Sequence, residues 1–185
     1  MTSFPTLETD RLLLRRWQSS DHEPFAVINR DPLVMEHFPA PLTREESSQL
    51  IARAEAHFQQ YGFGPWAAEL QETAEFIGFI SLFVPSFQAP FTPCVEIGWR
   101  LASPHWGRGL ATEGARAVVH HAFKTLRLAA LVSFTVPGNT RSRRVMEKLA
   151  MTHDPAEDFD HPNLPPGHAL RRHVLYRLAA RDALY

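Results

Sequence analysis

Cysteine is almost absent from the sequence: Cys94 is the only one among 185 residues. A single thiol cannot form a disulfide within the chain, which is compatible with a reducing compartment. No histidine stands near Cys94 in the sequence to activate it. We therefore interpret Cys94 as a small, partly buried residue and not as a nucleophile.

Long hydrophobic runs are also missing. A helix needs about 20 apolar residues to span a bilayer, and the chain has no such stretch. Residues 1–8 do not combine a basic flank with an apolar run, so they do not resemble a secretion signal. These absences predict a cytoplasmic protein with no membrane partner.

The sequence has no excess of charge of either sign. Its net charge is -1 and its isoelectric point is about 6.8, so a broad positive field is excluded and no nucleic-acid partner is predicted. The hydrophobic fraction of 44% and the charged fraction of 21% are ordinary for a globular protein. A chain of this length fits one domain, and we expect residues 1–185 to form a single domain.

Hydrophobic periodicity divides the chain into strands and helices. Strands are predicted at residues 11–17, 65–70, 75–84, 94–101, 130–136 and 172–178. Helices are predicted after Asp21, after a capping box formed by Thr43 and Glu46, over residues 110–127, and after Asn139. His120 and His121 are expected on the solvated half of the helix at 110–127. Antiparallel strands with helices inserted between them indicate an α+β or mixed α/β fold.

A glycine-containing turn joins the strand at 94–101 to the helix at 110–127. Residues 106–111 read Trp-Gly-Arg-Gly-Leu-Ala. Small residues allow backbone N–H groups to approach an anion, and the N-terminus of a helix adds a favourable dipole. Neither the dinucleotide fingerprint nor the P-loop motif is present. Taken alone, the turn could bind a pyrophosphate or be an ordinary strand-to-helix connection.

The turn resembles the cofactor signature of the GNAT superfamily of N-acetyltransferases, Q/R-x-x-G-x-G/A. Gly109 and Ala111 occupy their places, and Trp106 stands where many members have Gln or Arg. Residues 95–101 and 105–113 are similar to the branch that contains the ribosomal-protein N-terminal acetyltransferases, in which an aromatic is common at that first place.

Two further segments extend this resemblance. Asn139 and Ser142 match the N-x-x-S helix of the same branch, at the expected distance from the turn, and residues 8–15 resemble its opening. An N-x-x-S match alone is weak, because Asn is a common helix N-cap. The order and spacing of all three segments make the resemblance specific from about residue 6 to residue 149.

The resemblance implies a central, mostly antiparallel, twisted sheet of about seven strands flanked by helices. It implies transfer of an acetyl group from acetyl-CoA, as co-substrate, to a primary amine by direct attack in a ternary complex. A protein N-terminus and a small-molecule amine are both possible acceptors. The residues assigned to acetyl-CoA binding are Trp99, Leu101, Trp106, Gly107, Arg108, Gly109, Ala111, Thr112, Asn139 and Ser142.

Two residues are assigned to catalysis. The acceptor amine must lose a proton, and Glu96 is the only carboxylate between Cys94 and Leu101, so Glu96 is the candidate base. Its alternative role is an outward-facing strand residue or an ion-pair partner of Arg100. The resemblance implies that Ser142 serves the leaving thiolate and that Asn139 contacts the pantetheine arm. A backbone N–H near Gly98 or Trp99 would stabilise the oxyanion.

Two functional alternatives stay open at this stage. The same fold could bind acyl-CoA as a sensor or interaction module without turnover. Trp17, Phe25 and Trp66 could line an acceptor pocket or belong to the core. The ten histidines invite a metal site, but those of the proline-rich tail fit no known zinc spacing, and no metal is predicted. The sequence leaves the oligomeric state open, a homodimer included.

Overall fold

The structure is a computed structural model and describes residues 5–183. The helices are α1 (His22–Arg30), α2 (Pro32–Met35), α3 (Arg44–Tyr61), α4 (Leu110–His120) and α5 (Thr140–Lys148). The strands are β1 (Leu7–Glu8), β2 (Leu12–Arg15), β3 (Pro65–Leu70), β4 (Phe76–Phe83), β5 (Glu96–Leu101), β6 (Ala130–Thr135), β7 (Thr152–His153), β8 (Phe159–Asp160) and β9 (Arg172–Ala179).

Within residues 5–183, nine strands form a mixed sheet in the order β1-β2-β3-β4-β5-β6-β9-β7, with β8 paired to β9 outside this path. β5 and β6 run parallel, whereas β3–β4 and β6–β9 are the longest antiparallel pairs. The predicted α+β class is confirmed. The strand number exceeds the expected seven. The structure adds β1, β7 and β8 to the six strands predicted from periodicity, and these three have two residues each, too few to show an alternating pattern.

The described chain divides into two compact units. The first comprises residues 5–83 and 98–118, and the second comprises residues 84–97 and 119–183. Strand β5 therefore begins in the second unit and ends in the first. The interpretation of residues 1–185 as a single domain stays a prediction.

The core of the first unit is formed by strands that are apolar on both faces. Helix α1 packs on α3 and on β4. The fully buried side chains include Leu12, Leu14, Phe25, Phe58, Trp66, Ile77, Ile80 and Leu82. Phe25 and Trp66 are thus core residues and do not line an acceptor pocket. Trp17 is half-buried, and its indole Nε1 donates a hydrogen bond to the Pro65 carbonyl at 2.7 Å.

The bounds of α3 follow from local chemistry, as predicted. The Thr43 hydroxyl accepts a hydrogen bond from the Glu46 N–H at 3.1 Å, and the Glu46 carboxylate accepts one from the Thr43 N–H at 2.7 Å. The helix ends at Gly62, whose φ of 78° lies in the left-handed region that favours glycine. The capping box is confirmed.

The second unit is built on the antiparallel pair β6–β9, which runs from Ala130 opposite Ala179 to Thr135 opposite Val174. A group of aromatic side chains packs beside it, with ring centroids 4.7–6.3 Å apart: Phe87, Phe91, Phe134 and Phe159. This group joins the proline-rich loop after β4 to β6 and β8. Burial of these rings holds a segment that has no regular hydrogen-bonded structure.

Three sequence predictions differ from the structure. The strand predicted to begin at Cys94 begins at Glu96. The helix predicted over 110–127 ends as an α-helix at His120 and continues as a π-helical turn over His121–Thr125. The wider turn places three consecutive residues, 121–123, inside the protein. The expectation that His121 is solvated was therefore wrong, whereas His120 is exposed as expected.

Candidate active site

The turn between β5 and α4 is shaped by two glycines in the left-handed region. Gly107 has a φ of 74° and Gly109 a φ of 81°, conformations that other residues adopt only with strain. Both glycines and Arg108 are exposed, so a ligand can reach their backbone. Helix α4 begins at Leu110, and the N–H groups of its first turn have no acceptor within the helix. The turn therefore offers N–H groups and the positive end of a helix to an anion.

Trp106 anchors the turn. Its indole Nε1 donates a hydrogen bond to the carbonyl of Leu101, the last residue of β5, at 2.8 Å. Its ring packs against a small cluster that contains Val34 and Met35. In this chain the aromatic at the first place of the signature thus ties the turn to the end of the strand. The Leu101 side chain is buried, so Leu101 can contact a ligand only through its backbone.

An ion pair between the residues that precede β2 and helix α4 holds the other side of the turn. The Glu113 carboxylate accepts hydrogen bonds from the Thr9 hydroxyl at 2.6 Å and from the Arg11 N–H at 2.9 Å, and it pairs with the Arg11 guanidinium at 2.5 Å. Burial alone would raise the pKa of Glu113, but these hydrogen bonds hold its pKa below the usual value.

Arg11 also acts on the turn directly. Its Nη1 donates a hydrogen bond to the Arg108 carbonyl at 3.0 Å, and its Nη2 lies 3.6 Å from the position that a Cβ would take at Gly109. A carbonyl oxygen repels an anion, so binding it to Arg11 leaves a turn that presents mainly N–H groups. The guanidinium adds a positive charge beside them. The sequence analysis missed Arg11 and Glu113 as partners, because 102 positions separate them.

Glu96 lies in the second unit, opposite Val132 on the parallel neighbour β6. Glu96 is half-buried, and the protein around its carboxyl group removes enough water to raise its pKa to about 8. The group is therefore mostly protonated at neutral pH and becomes a base at higher pH. A carboxyl with a pKa near the working pH suits general-base catalysis.

Cys94 is close enough to Glu96 for the two charges to interact. Burial, followed by the negative charge of Glu96, raises the pKa of the Cys94 thiol to about 11. A thiol with so high a pKa carries almost no thiolate at neutral pH. This supports the interpretation of Cys94 as an unreactive residue.

Asn139 and Ser142 open helix α5. The Asn139 Oδ1 accepts a hydrogen bond from the Ser142 N–H at 3.2 Å, and the Asn139 Nδ2 donates to the Thr135 hydroxyl at 3.0 Å. Asn139 is therefore the predicted N-cap, fastened to the end of β6. The Ser142 side chain is half-buried in the first turn. With these contacts Asn139 already has a structural role, which the N-x-x-S pattern by itself does not reveal.

Residues 11–152 match the acetyltransferase (GNAT) domain. The chain belongs to the GNAT acetyltransferase family. As a member of this family it is an acyltransferase that depends on acetyl-CoA. The resemblance on which the sequence analysis rested, carried by the turn and by the N-x-x-S helix, is thus confirmed at the level of the family.

Several proteins are similar to this acetyltransferase along most of its length. The FsC-acetyl coenzyme A-N(2)-transacetylase of Aspergillus fumigatus is 34% identical over 170 residues, which cover 88% of this chain and 72% of that protein. The crystal structure of an acetyltransferase from Agrobacterium tumefaciens is 31% identical, with a TM-score of 0.76 and 96% of each chain covered.

A third similarity concerns the fold alone. The structure of RimL, a ribosomal L7/L12 α-N-protein acetyltransferase in complex with coenzyme A, is 15% identical, with a TM-score of 0.75 and coverage of 95% of this chain and 98% of that one. In RimL the same fold therefore carries coenzyme A.

The structure places the assigned cofactor and catalytic residues of this GNAT acetyltransferase in two groups. The first unit holds Trp99, Leu101, Trp106, Gly107, Arg108, Gly109, Ala111 and Thr112, along the end of β5, the turn and the start of α4. The second unit holds Glu96, Asn139 and Ser142. The roles of all these residues in binding and catalysis stay predictions.

Histidines of the proline-rich tail have other partners. His153 pairs with Asp158 at 2.7 Å and stacks on Tyr176, and His161 and His173 pack among the aromatic rings of the second unit. Among residues 5–183, no group of three or more His, Cys, Asp or Glu side chains could hold a metal ion. In the same residues, no helix is both long and apolar enough to cross a membrane.

Proposed function

We propose that this acetyltransferase moves the acetyl group of acetyl-CoA to a primary amine by direct attack in a ternary complex. The observation that carries the proposal is the turn of residues 106–112, with two left-handed glycines, a helix N-terminus and the Arg11 guanidinium. These groups would hold the pyrophosphate. The backbone of Trp99 and Leu101 would hold the pantetheine arm, with Asn139 as a further contact.

The chemistry follows from the same assignment. The amine nitrogen attacks the thioester carbonyl, its proton passes to Glu96, and a backbone N–H of β5 stabilises the oxyanion. The C–S bond then breaks, and the leaving thiolate takes a hydrogen bond or a proton from the Ser142 hydroxyl. Glu96 releases the amine proton to solvent, and a proton that Ser142 has given is replaced from solvent. The names of two similar proteins, an N(2)-transacetylase and an α-N-protein acetyltransferase, support nitrogen as the acceptor atom.

Calorimetric titration with acetyl-CoA tests the binding site. Wild type is expected to bind in the micromolar range, and Gly109→Trp, whose indole obstructs the turn, is expected not to bind. Gly167→Trp is the matched control, because Gly167 has a φ of 82° and open space around it but lies far along the chain from the turn. Equal binding by wild type and Gly109→Trp would contradict the assigned site.

A kinetic comparison tests Ser142. An acceptor screen with amines and peptides first identifies a substrate, and kcat is then measured for Ser142→Ala and for Thr140→Ala, which removes a hydroxyl from the same helical turn. We expect Ser142→Ala to lower kcat by about tenfold or more and Thr140→Ala to leave it unchanged. An unchanged kcat in Ser142→Ala excludes the proposed role. Binding of acetyl-CoA without transfer to any amine would favour the noncatalytic sensor.

The location and the other partners also stay proposals. They are a cytoplasmic location and the lack of a metal, of nucleic acid and of a membrane among its partners. The same holds for a homodimer.

A further inference from the structure

Arg100 stands in an unusual environment in the first unit. Its Nη1 donates a hydrogen bond to the Oδ1 of Asn29 on α1 at 2.7 Å. The Nδ2 of Asn29 donates in turn to the Ser47 hydroxyl on α3 at 3.0 Å, and both Asn29 and Ser47 are fully buried. The guanidinium carbon lies 4.2 Å from the ring centroid of Phe38 and 5.6 Å from that of Phe79. Arg100 is therefore held in one place by neutral groups.

No carboxylate balances this cation. Among residues 5–183, no Asp or Glu oxygen is close enough to Arg100 to form an ion pair. The Nε of Arg100 is buried without a hydrogen-bond partner. Burial lowers the pKa of Arg100 to about 10. Arg15 shows the ordinary arrangement in the same unit, because it bonds Asp21 at 2.7 Å and Glu69 at 2.7 Å. A buried charge without a partner is costly, and such groups concentrate at functional sites.

The accessible part of the guanidinium indicates the missing partner. Asn29 occupies Nη1 and Nε is buried, so an oxygen of a carboxylate would reach the cation through Nη2. A single positive charge among neutral and aromatic neighbours suits a singly charged anion better than a phosphate dianion. Arg100 is not fully enclosed, and Phe38 beside it is 39% exposed, so the site has an apolar and accessible border.

We propose that Arg100 determines acceptor specificity by binding a carboxylate that the acceptor carries. The acceptor class is then an amine that bears a carboxylate, such as an α-amino acid, with its apolar part against Phe38. This inference rests on the proposed function and deepens it. Arg100 positions the substrate and takes no part in proton transfer.

Matched pairs of acceptors test the proposal. The probes are L-leucine with L-leucinamide and L-phenylalanine with L-phenylalaninamide, which differ in the carboxylate. Wild type is expected to favour the acid over the amide by about tenfold or more in kcat/KM. In Arg100→Gln, kcat/KM for the acids is expected to fall about 10- to 100-fold, mainly because KM rises, and kcat/KM for the amides should change little. The values for Arg100→Lys should lie between those of wild type and Arg100→Gln, because a lysine keeps the charge but not the planar guanidinium.

The control is Arg16→Gln, which removes another arginine that lies over a phenyl ring, 4.5 Å from the centroid of Phe58, and pairs with Glu55. In this variant the ratio of kcat/KM for the acid to kcat/KM for the amide should equal that of wild type. Two results overturn the proposal. In the first, wild type does not discriminate between acid and amide; in the second, Arg100→Gln lowers kcat/KM for the acid and for the amide by the same factor. The second result would mean that Arg100 only supports the packing of α1.

Failure of the proposed function gives a different result, namely no transfer to any amine. In that case the acetylated products test the role of Arg100 as ligands, because their binding does not require turnover. Calorimetric titration with N-acetyl-L-leucine should show binding to wild type and none to Arg100→Gln, while N-acetyl-L-leucinamide binds both poorly. Absence of any difference between the two ligands would overturn the inference about Arg100.

Discussion

Glu96 is the residue whose acid–base chemistry is most changed by its surroundings. Burial raises its pKa to about 8, so the basic form grows as the pH rises through 8. We expect kcat/KM to increase with pH up to an apparent pKa near 8 and then to level off. Glu96→Gln should lack this rise and lower kcat by about 100-fold or more. Glu72→Gln, at an exposed position, serves as the control.

The same shift affects stability. The folded state keeps the Glu96 proton up to about pH 8, whereas the unfolded chain loses it near the ordinary glutamate pKa of 4.5. The free energy of unfolding should therefore fall as the pH rises from 4.5 to 8. Glu96→Gln removes this loss, so its melting temperature should exceed that of wild type in alkaline buffer. An identical pH dependence of stability in both proteins would show that Glu96 is not buried as described.

Cys94 provides a second prediction at the level of single residues. With a thiol pKa of about 11, it should react with iodoacetamide at pH 8 about 100-fold more slowly than free cysteine does. The same protein unfolded in guanidinium chloride should react at the normal rate, which is the internal control. Cys94→Ala should keep full activity. Rapid alkylation with loss of activity would point to a role that the structure does not show.

Among the elements, β4 depends on one glycine. Gly78 has a φ of 132°, and a Cβ there would lie well inside contact distance of the Arg100 carbonyl oxygen on β5. Gly78→Ala combines backbone strain with a clash against backbone atoms, so we expect it to lower the free energy of unfolding by about 3 kcal/mol or more.

Gly62→Ala is the matched control for this comparison. Gly62 has a φ of 78° but no atom within 4 Å of the position that a Cβ would take, so only the strain remains, about 1 kcal/mol. Denaturant unfolding of both variants measures the difference. Equal losses would mean that the close approach of β4 and β5 is absent in solution.

At the scale of the whole molecule, ligand binding should appear as a gain in stability. A ligand that binds only the folded state at 100 times its dissociation constant adds about 2.7 kcal/mol. For a chain of this size, acetyl-CoA should then raise the melting temperature by about 5–10 °C. Gly109→Trp should show no increase, and Gly167→Trp should behave as wild type. A shift of equal size in all three proteins would place the cofactor elsewhere.

Local features of this protein could be predicted from the sequence because their causes lie within a few residues. The capping box of Thr43 and Glu46, the N-cap at Asn139 and the glycine turn at 107 and 109 depend on neighbouring residues in the chain. The short apolar runs of the longer strands are local in the same way, and they predicted these strands. The family resemblance rested on these segments and supplied the acetyl-CoA dependence and the candidate site residues.

The tertiary structure decided what depends on residues distant in sequence. The pairing of Arg11 with Glu113, the burial of His121 in a π-helical turn, the raised pKa of Glu96 and the unbalanced charge of Arg100 all follow from such contacts. Desolvation and ion pairing depend on the atoms that surround a group in space, and these atoms cannot be identified from a pattern along the chain. The sequence by itself therefore determined the family and the cofactor. The packing of elements distant in sequence determined the ion pairs and the pKa values of the candidate site residues.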